Sequence, residues 1–158
     1  MINQTGEYAL RAVVFLGQRS SAQSVSAQEI AEGTKVPVGY LQKILRMLSR
    51  TGILNAQRGT GGGFALAKLP SAISILDVLR AVDSGVSRIE RCPLGIPGHM
   101  KLCALHGLID AQLANTERVF ASTSVQDILN NLTENRPLCQ AREFAVGKVG
   151  IDQRGVRD

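Results

Sequence analysis

The 158-residue chain is long enough for one domain with a small extension, and its net charge of +5 comes from 18 Lys and Arg residues against 13 Asp and Glu residues. Hydrophobic residues make up 44% of the chain but aromatic residues only 4%, which favours helices packed through aliphatic side chains. No apolar run approaches the roughly 20 residues that a membrane-spanning helix needs, so the composition argues against a membrane protein. No signal peptide is visible either, which predicts a cytoplasmic protein with reduced cysteines.

Two short-range patterns predict the first two helices. Apolar residues fill most of Glu7 to Gly17, which indicates a largely buried first helix. Residues 26–29 (Ser-Ala-Gln-Glu) have the spacing of a capping box, in which the serine and glutamate side chains bind free amides at a helix start. A short second helix is therefore expected from Ala27 to Glu32, with Gly33 as its C-terminal cap.

A third predicted helix, which begins at Pro37, has two faces of different character. Its apolar face carries Tyr40, Leu41, Ile44, Leu45 and Leu48, and its polar face carries Gln42, Lys43, Arg46 and Arg50. One side can anchor in a core while the other offers donors to a DNA groove, as in the recognition helix of a helix-turn-helix. The N-terminal turn of this helix should lie nearest the base edges.

The next segment predicts a β-hairpin with a flexible tip. A strand from Ile53 to Gln57 and a second from Phe64 to Ala67 flank residues 59–63, four of which are glycine. Glycine permits positive φ and close approach to another surface. Arg58 at the mouth of the tip suits the narrow, electronegative minor groove of DNA, so the hairpin is interpreted as the wing of a winged helix-turn-helix. The alternative is an ordinary hairpin with a permissive loop.

The excess of basic over acidic residues is confined to these parts of the chain. Between Gly33 and Leu76 there are six basic residues and no acidic one, whereas acids slightly outnumber bases elsewhere. A run of like charges can be a solvated face, but its confinement here favours double-stranded DNA as a partner. The residues predicted to contact DNA are Gln28, Val38, Gly39, Tyr40, Gln42, Lys43, Arg46, Arg58, Thr60 and Gly61.

The C-terminal half predicts one long helix. Ser74 and Asp77 form a second capping box, which starts a helix that runs to about Asp83. After a loop rich in Gly and Pro, a long helix is expected from Leu102 to about Ala121. Its apolar residues recur at three- and four-residue steps: Leu105, Ile109, Leu113, Thr116 and Phe120. This spacing favours a coiled-coil seam between two copies of the chain, and the alternative is packing on the helix's own domain.

Together these predictions give a mainly α fold: a winged helix-turn-helix with a small β-hairpin wing and a long C-terminal dimerisation helix. The predicted parts are a DNA-binding domain (1–83), a Cys/His-containing loop (84–101), the dimerisation helix with a short final helix (102–134), and a disordered tail (135–158). A homodimer would read the two half-sites of a pseudo-palindromic operator.

This order of parts, with Arg-Gly-Thr-Gly-Gly-Gly-Phe as the wing (58–64) and a cysteine-containing loop before the long helix, resembles the IscR/NsrR/RirA family of bacterial winged-helix regulators. The resemblance covers roughly residues 1 to 134. It implies a homodimer that represses or activates promoters, and an iron-sulfur cluster whose state alters the affinity for DNA.

The resemblance also implies where the cluster would be held. Relatives that bind a cluster place three cysteines in this loop, sometimes with a following histidine. Here Cys92 and Cys103 match the outer two, and His106 follows about one helical turn after Cys103. The middle cysteine is absent and His99 stands near its place. In some relatives a carboxylate on the first helix reaches the cluster from the partner subunit, which makes Glu7 a candidate; the alternative is an ordinary first-turn acid.

The donor types leave the cofactor open. Two thiolates and two imidazoles suit a 2Fe-2S cluster, in which histidine ligands raise the reduction potential, but the same set suits tetrahedral zinc. Alternatively, Cys92 and Cys103 are small buried apolar residues, and Cys139, remote from the group, is expected to be a free thiol.

The functional hypothesis is a homodimeric DNA-binding transcriptional regulator in which a 2Fe-2S cluster senses redox state, iron or nitric oxide. The alternative is a cluster-free regulator of the same family that responds through cysteine oxidation, structural zinc or a partner protein. No acid-base constellation or nucleotide motif is visible, so the sequence does not predict an enzyme.

Overall fold

The fold is mainly helical with one hairpin. A computed structural model describes residues 2–19, 23–59, 61–93, 95 and 101–130. Its elements are α1 (Gln4–Gly17), α2 (Ala27–Thr34), α3 (Val38–Arg50), β1 (Leu54–Gln57), β2 (Gly63–Leu66), a 3-10 turn (Pro70–Ala72), α4 (Ile75–Ala81), α5 (Ala104–Ser122) and α6 (Val125–Leu129). The helices α2 and α3 with the hairpin form the predicted winged helix-turn-helix, and α5 is the predicted long helix.

The hydrophobic core forms where α1, α2 and α3 meet the hairpin. From α3, the four residues Leu41, Ile44, Leu45 and Leu48 are each at most 1% exposed. Their spacing of three and four residues places them on one side of the helix, so burying them leaves the opposite side of α3 in solvent. The core thereby determines which face of α3 is available to a ligand.

The hairpin is joined to the segment before α2. β1 and β2 pair antiparallel, with Leu54 opposite Leu66. Val25 adds a bridge to Phe64 through two backbone hydrogen bonds, Val25 N–H to Phe64 O at 2.9 Å and Phe64 N–H to Val25 O at 2.8 Å. A side chain at Gly63 would collide with the Val25 backbone, so this close approach requires glycine.

Two helix ends differ from the prediction. α1 begins at Gln4 instead of Glu7, because the side chain of Asn3 caps it by accepting a hydrogen bond from the Gly6 amide at 2.9 Å. α2 does not end at Gly33. It continues to Thr34, and Lys35 takes the left-handed conformation (φ 57°) that a glycine cap would have taken.

The predicted capping boxes have different outcomes. The one between Ser74 and Asp77 is confirmed, with both hydrogen bonds present. At α2, Ser26 accepts from the Glu29 amide at 3.1 Å, but the Glu29 carboxylate pairs with Arg19 at 3.1 Å and does not return to the cap. Only one of the two hydrogen bonds of that capping box is therefore formed, since the Glu29 carboxylate is paired with Arg19.

The other boundaries shift by a few residues. β1 begins one residue later than predicted and ends at Gln57 as predicted, whereas β2 lies one residue earlier than predicted. α4 ends at Ala81 instead of about Asp83, and α5 begins at Ala104 instead of Leu102. The predicted tail from 135 onward lies outside the described residues.

Gly33 supplies a test of the core. A methyl group there would overlap the ring of Phe15, which is itself buried, whereas a methyl group at Gly39 of α3 would meet nothing within 4 Å. We expect Gly33→Ala to lower the free energy of unfolding by about 1–3 kcal/mol because the ring must move in a packed core. Gly39→Ala, the control, should leave that free energy unchanged or raise it by up to about 1 kcal/mol through helix propensity. Equal effects in urea denaturation would contradict this packing.

Candidate DNA interface and Cys/His site

The solvent face of α3 is polar and basic. Gln42, Lys43, Arg46 and Arg50 are all exposed, on the side opposite the buried leucines. Val38 and Gly39, in the first turn, are exposed as well. The helix therefore presents an amide and three cations in a part of the chain that carries no acidic residue.

Tyr40 does not belong to the apolar face of α3, where the sequence pattern placed it. It is 41% exposed, and its ring packs edge-on against Tyr8 of α1 with centroids 5.7 Å apart. Its hydroxyl lies 2.6 Å from the Thr5 hydroxyl, while the Tyr8 hydroxyl accepts from Gln4 at 2.8 Å. The first turns of α1 and α3 are thus tied together at the surface. Thr5 was not predicted as part of this surface, because nothing in local spacing relates positions 5 and 40.

The wing presents an exposed arginine on a glycine tip. Arg58 is exposed at the end of β1, and Gly59 and Gly61 have φ values of 97° and 81°, which side-chain-bearing residues rarely adopt. Beside them the Ser24 hydroxyl donates to Gln57 at 2.7 Å, a contact that the sequence did not suggest. Thr60 lies outside the described residues.

Gln28 on α2 is exposed, but its amide is already engaged. It donates to the Glu32 carboxylate at 2.9 Å, one turn along the helix. An exposed intrahelical bond of this kind is weak and exchanges readily with water or another acceptor.

Two cysteines and one histidine converge at the start of α5. The Sγ atoms of Cys92 and Cys103 and a ring nitrogen of His106 all lie within 4.8 Å of one another. Nδ1 of His106 is 3.2 Å from Cys103 Sγ and 3.6 Å from Cys92 Sγ. Cys92 is buried and the other two are half-buried. The loop before α5 and its first turn therefore meet at a small cluster of soft donors.

Cys103 occupies the N-cap position of α5, where backbone amides are free to donate. The amide of His106, followed by that of Leu105, stabilises the thiolate and holds the pKa of Cys103 below its ordinary value, although partial burial acts in the opposite direction. A thiol with a lowered pKa is a better metal ligand and a better nucleophile.

Of the other two predicted ligands, one lies outside the described residues and the other has a partner within its own helix. His99 lies outside the described residues. The carboxylate of Glu7 pairs instead with Arg11 one turn along α1, and Arg11 also donates to the backbone oxygen of Thr34 at 3.4 Å. Within one copy of the chain, the described donor set is thus Cys92, Cys103 and His106.

An ion pair lies next to this cluster and was not foreseen. Arg88 donates from Nε at 2.7 Å and from Nη2 at 2.6 Å to the two oxygens of Asp110, and the Ile89 amide donates to the same carboxylate at 2.9 Å. Arg88 first, and then the Ile89 amide, hold the pKa of Asp110 at about 2. The two side chains are 22 positions apart, so no sequence periodicity relates them.

The family assignment follows from comparison with known proteins. Residues 2–131 match the Rrf2 family, described as iron-dependent transcriptional regulators. The chain belongs to the Rrf2 family. It is therefore a transcriptional regulator of the DNA-binding, winged-helix type, which confirms the family resemblance and the coarse function predicted from the sequence.

Individual relatives within the Rrf2 family carry different names. The chain is 29% identical over 135 residues to the HTH-type transcriptional regulator NsrR of Bacillus licheniformis, covering 84% of this chain and 94% of that protein. It is 28% identical over 141 residues to the HTH-type transcriptional regulator IscR of Cereibacter sphaeroides, covering 86% and 90%. The family assignment therefore leaves the sensed signal open.

A solved structure supports the fold independently. CymR, described as the global cysteine regulator of B. subtilis, matches with a TM-score of 0.69 at 24% identity, covering 81% of this chain and 95% of that one. At this identity the likeness concerns the fold alone.

Among the described residues of this Rrf2 protein, no helix has both the length and the apolarity to cross a membrane.

Proposed function

We propose that this Rrf2 protein is a homodimeric regulator whose promoter affinity depends on an iron-sulfur cluster bound by Cys92, Cys103 and His106. The observation that carries the proposal is the convergence of these three donors within 4.8 Å at the start of α5. Thiolates and imidazoles are the ligands that iron-sulfur clusters take in proteins, and mixed sets of the two bind 2Fe-2S clusters. The lowered pKa of Cys103 favours the thiolate that such binding requires.

The donor chemistry fits a cluster that is completed by one further ligand. His99 from the same loop and Glu7 of the partner subunit are the two candidates that the sequence offers. When bound, the cluster would supply a redox-active and oxidant-sensitive centre. On this proposal residues 84–101 form a sensor loop between the DNA-binding part and the long helix.

A cluster-free alternative is favoured by the same short distances. With two thiols within 4.8 Å of each other and one of lowered pKa, oxidation of the pair or binding of zinc is chemically reasonable. Visible absorption together with iron and zinc analysis of anaerobically purified protein separates these possibilities. Colour with iron supports the cluster, and a colourless protein supports zinc or thiol oxidation.

The cluster proposal predicts which variants lose colour. Cys92→Ala and Cys103→Ala should give colourless protein with altered promoter affinity, because each removes a thiolate ligand. His106→Ala and Glu7→Ala should have smaller effects, and Cys139→Ala is the control that should leave both properties unchanged. The measurement is the visible spectrum after anaerobic reconstitution, with a mobility-shift titration. Cysteine variants that keep the wild-type spectrum and oxidant response would refute the site.

For DNA binding, we propose that the exposed face of α3 enters the major groove and the wing enters the minor groove. The first turn of α3 would approach the bases, and Lys43 and Arg46 would contact phosphates. Arg58 extends from a tip whose glycines allow close approach to the backbone.

Arg58 is the residue whose loss should be most informative. Arg58→Ala should weaken binding to an operator selected from random DNA by about 1–3 kcal/mol, without lowering the free energy of unfolding. Lys68→Ala removes an exposed charge just beyond β2 and should cost less, because it loses only general attraction to phosphates. Mobility-shift titrations that show wild-type affinity for the Arg58 variant would contradict the wing assignment.

The exposed face of α5 is the proposed contact between the two copies. No residue of α5 is buried, and four large apolar side chains are exposed on it: Leu105, Leu108, Ile109 and Val119. Of the predicted seam, Leu113, Thr116 and Phe120 line a groove with Ile2 of the same chain. We therefore place the centre of the interface at the four exposed residues. A dimer built there would present two recognition helices to two half-sites.

Leu108 tests this interface. Leu108 is 62% exposed, so Leu108→Glu should leave the fold of each copy intact but bury a charge if the partner's α5 covers it. We expect light scattering to report monomers and operator binding to fall sharply, since one half-site contributes little alone. Leu69→Glu, at a leucine that is 69% exposed outside α5, is the matched control and should remain dimeric. A dimeric Leu108 variant would exclude this face.

A further inference from the structure

The loop that carries Cys92 has no regular structure of its own. Residues 84–93 form neither helix nor strand, yet Cys92 is buried, with an exposed fraction of only 8%. A segment without backbone pairing keeps a definite position only if side chains hold it. The contacts that do so therefore determine whether Cys92 meets Cys103 and His106.

The first of these contacts is at the start of the loop. The hydroxyl of Ser84 donates to the Asn3 side chain at 2.8 Å, and the same Asn3 oxygen accepts the Gly6 amide at 2.9 Å. Ser84 is buried, and a side chain at Gly6 would collide with it. Ser84, eight positions before Cys92, thereby attaches this end of the loop to the first turn of α1.

The second contact is closer to the cysteine. Arg88 precedes Cys92 by four residues, and Asp110 follows His106 by four residues, one turn along α5. The loop and the helix therefore run antiparallel here and meet at two places, once through Arg88 and Asp110 and once through Cys92 and His106. A contact at the first pair limits how far apart the second pair can lie.

The geometry of the Arg88 contact distinguishes it from an ordinary surface ion pair. Exposed single ion pairs contribute little to stability. Here the guanidinium makes two parallel hydrogen bonds to the carboxylate, and the Ile89 amide adds a third, so loop backbone and loop side chain are both held. The Asp110 side chain is only 16% exposed, and its pKa of about 2 keeps it ionised throughout the neutral range.

A neighbouring carboxylate supplies an internal control. Glu117 lies on the same helix and pairs with Arg80 of α4 at 2.7 Å, but its nearest oxygen is 3.8 Å from Arg88. It belongs to the same charge network while making no hydrogen bond to the loop backbone. Removing it should therefore loosen α5 on α4 without releasing Cys92.

We propose that Arg88 and Asp110 are positioning residues, which hold Cys92 against Cys103 and His106. Their importance for a cofactor rests on the proposed function, but the positioning itself belongs to the metal-free protein. The pair would present the donors together before any cofactor arrives, which lowers the ordering cost of binding it.

The two thiols report this positioning without a metal. In a glutathione redox buffer the metal-free protein and oxidised glutathione exchange to give the Cys92–Cys103 disulfide and two reduced glutathione molecules, so electrons and protons balance. The equilibrium constant is the effective concentration of one thiol at the other. A Cys139→Ala background removes the third cysteine.

In this assay Asp110→Asn and Arg88→Gln should each lower the effective concentration about tenfold, because the freed loop samples other positions. The double variant should lose no more than either single one, since both break the same contact. Glu117→Gln should keep the wild-type effective concentration, even if its thermal midpoint falls as far as that of Asp110→Asn. After anaerobic reconstitution, the iron-sulfur absorbance should fall in Asp110→Asn and Arg88→Gln and stay at the wild-type value in Glu117→Gln.

The outcomes separate the two proposals. A wild-type effective concentration in Asp110→Asn, or an equal loss in Glu117→Gln, overturns the positioning role whether or not a cluster binds. If the effective concentration falls as expected but the wild-type protein takes up no cluster, the positioning role stands and the cluster proposal fails. If the wild type binds a cluster and Asp110→Asn retains both absorbance and effective concentration, the cluster proposal stands without this role for Arg88 and Asp110.

Discussion

The burial of one face of α3 is the constraint on which the other features depend. Leu41, Ile44, Leu45 and Leu48 are almost completely removed from solvent, and burial of each such side chain contributes roughly 1.5–3 kcal/mol. A helix held by four core residues cannot rotate without exposing them. Its basic face is therefore presented in one orientation only, and the hairpin, which follows α3 directly and is bridged to Val25, is placed relative to that face. A preorganised surface of this kind avoids much of the ordering cost of binding.

The first turn of α1 links the two candidate sites physically. Asn3 there holds Ser84 at the start of the loop that carries Cys92, and Thr5 contacts the hydroxyl of Tyr40 in the first turn of α3. Contiguity alone does not transmit a signal, because coupling requires an element with two arrangements that both sites bias. The two contacts differ in how easily they exchange: the one between Thr5 and Tyr40 is a single exposed hydrogen bond that is inexpensive to break, whereas the one at Ser84 is buried. The body of α1 remains anchored by Ala9, Ala12 and Val13.

What could be predicted from the sequence was mostly what local periodicity determines. The spacing of the α3 leucines and the glycines of the wing each reflect backbone geometry within a few residues, so the elements were recognised. Gly33 was misassigned as a cap because its actual role is to leave room for Phe15, 18 positions away. Tyr40 was misplaced for a similar reason, since its partners lie on α1. In the candidate site, Cys92, Cys103 and His106 were found from the family resemblance together with their residue types, but the Arg88–Asp110 pair depends on how the loop folds back on α5 and left no local pattern.

The position of the Cys/His cluster on α5 bears on how the proposed sensor would act. His106 faces Cys92 within its own chain, whereas its neighbour Leu105 and, one turn on, Leu108 and Ile109 are exposed. Consecutive residues of a helix project about 100° apart, so the same turn offers donors on one side and apolar surface on another. On the proposed function, any change in how the donors are held would shift the turn that meets the partner's α5. The two recognition helices of a dimer must match a fixed half-site spacing. A small shift at this interface would therefore change the affinity for DNA.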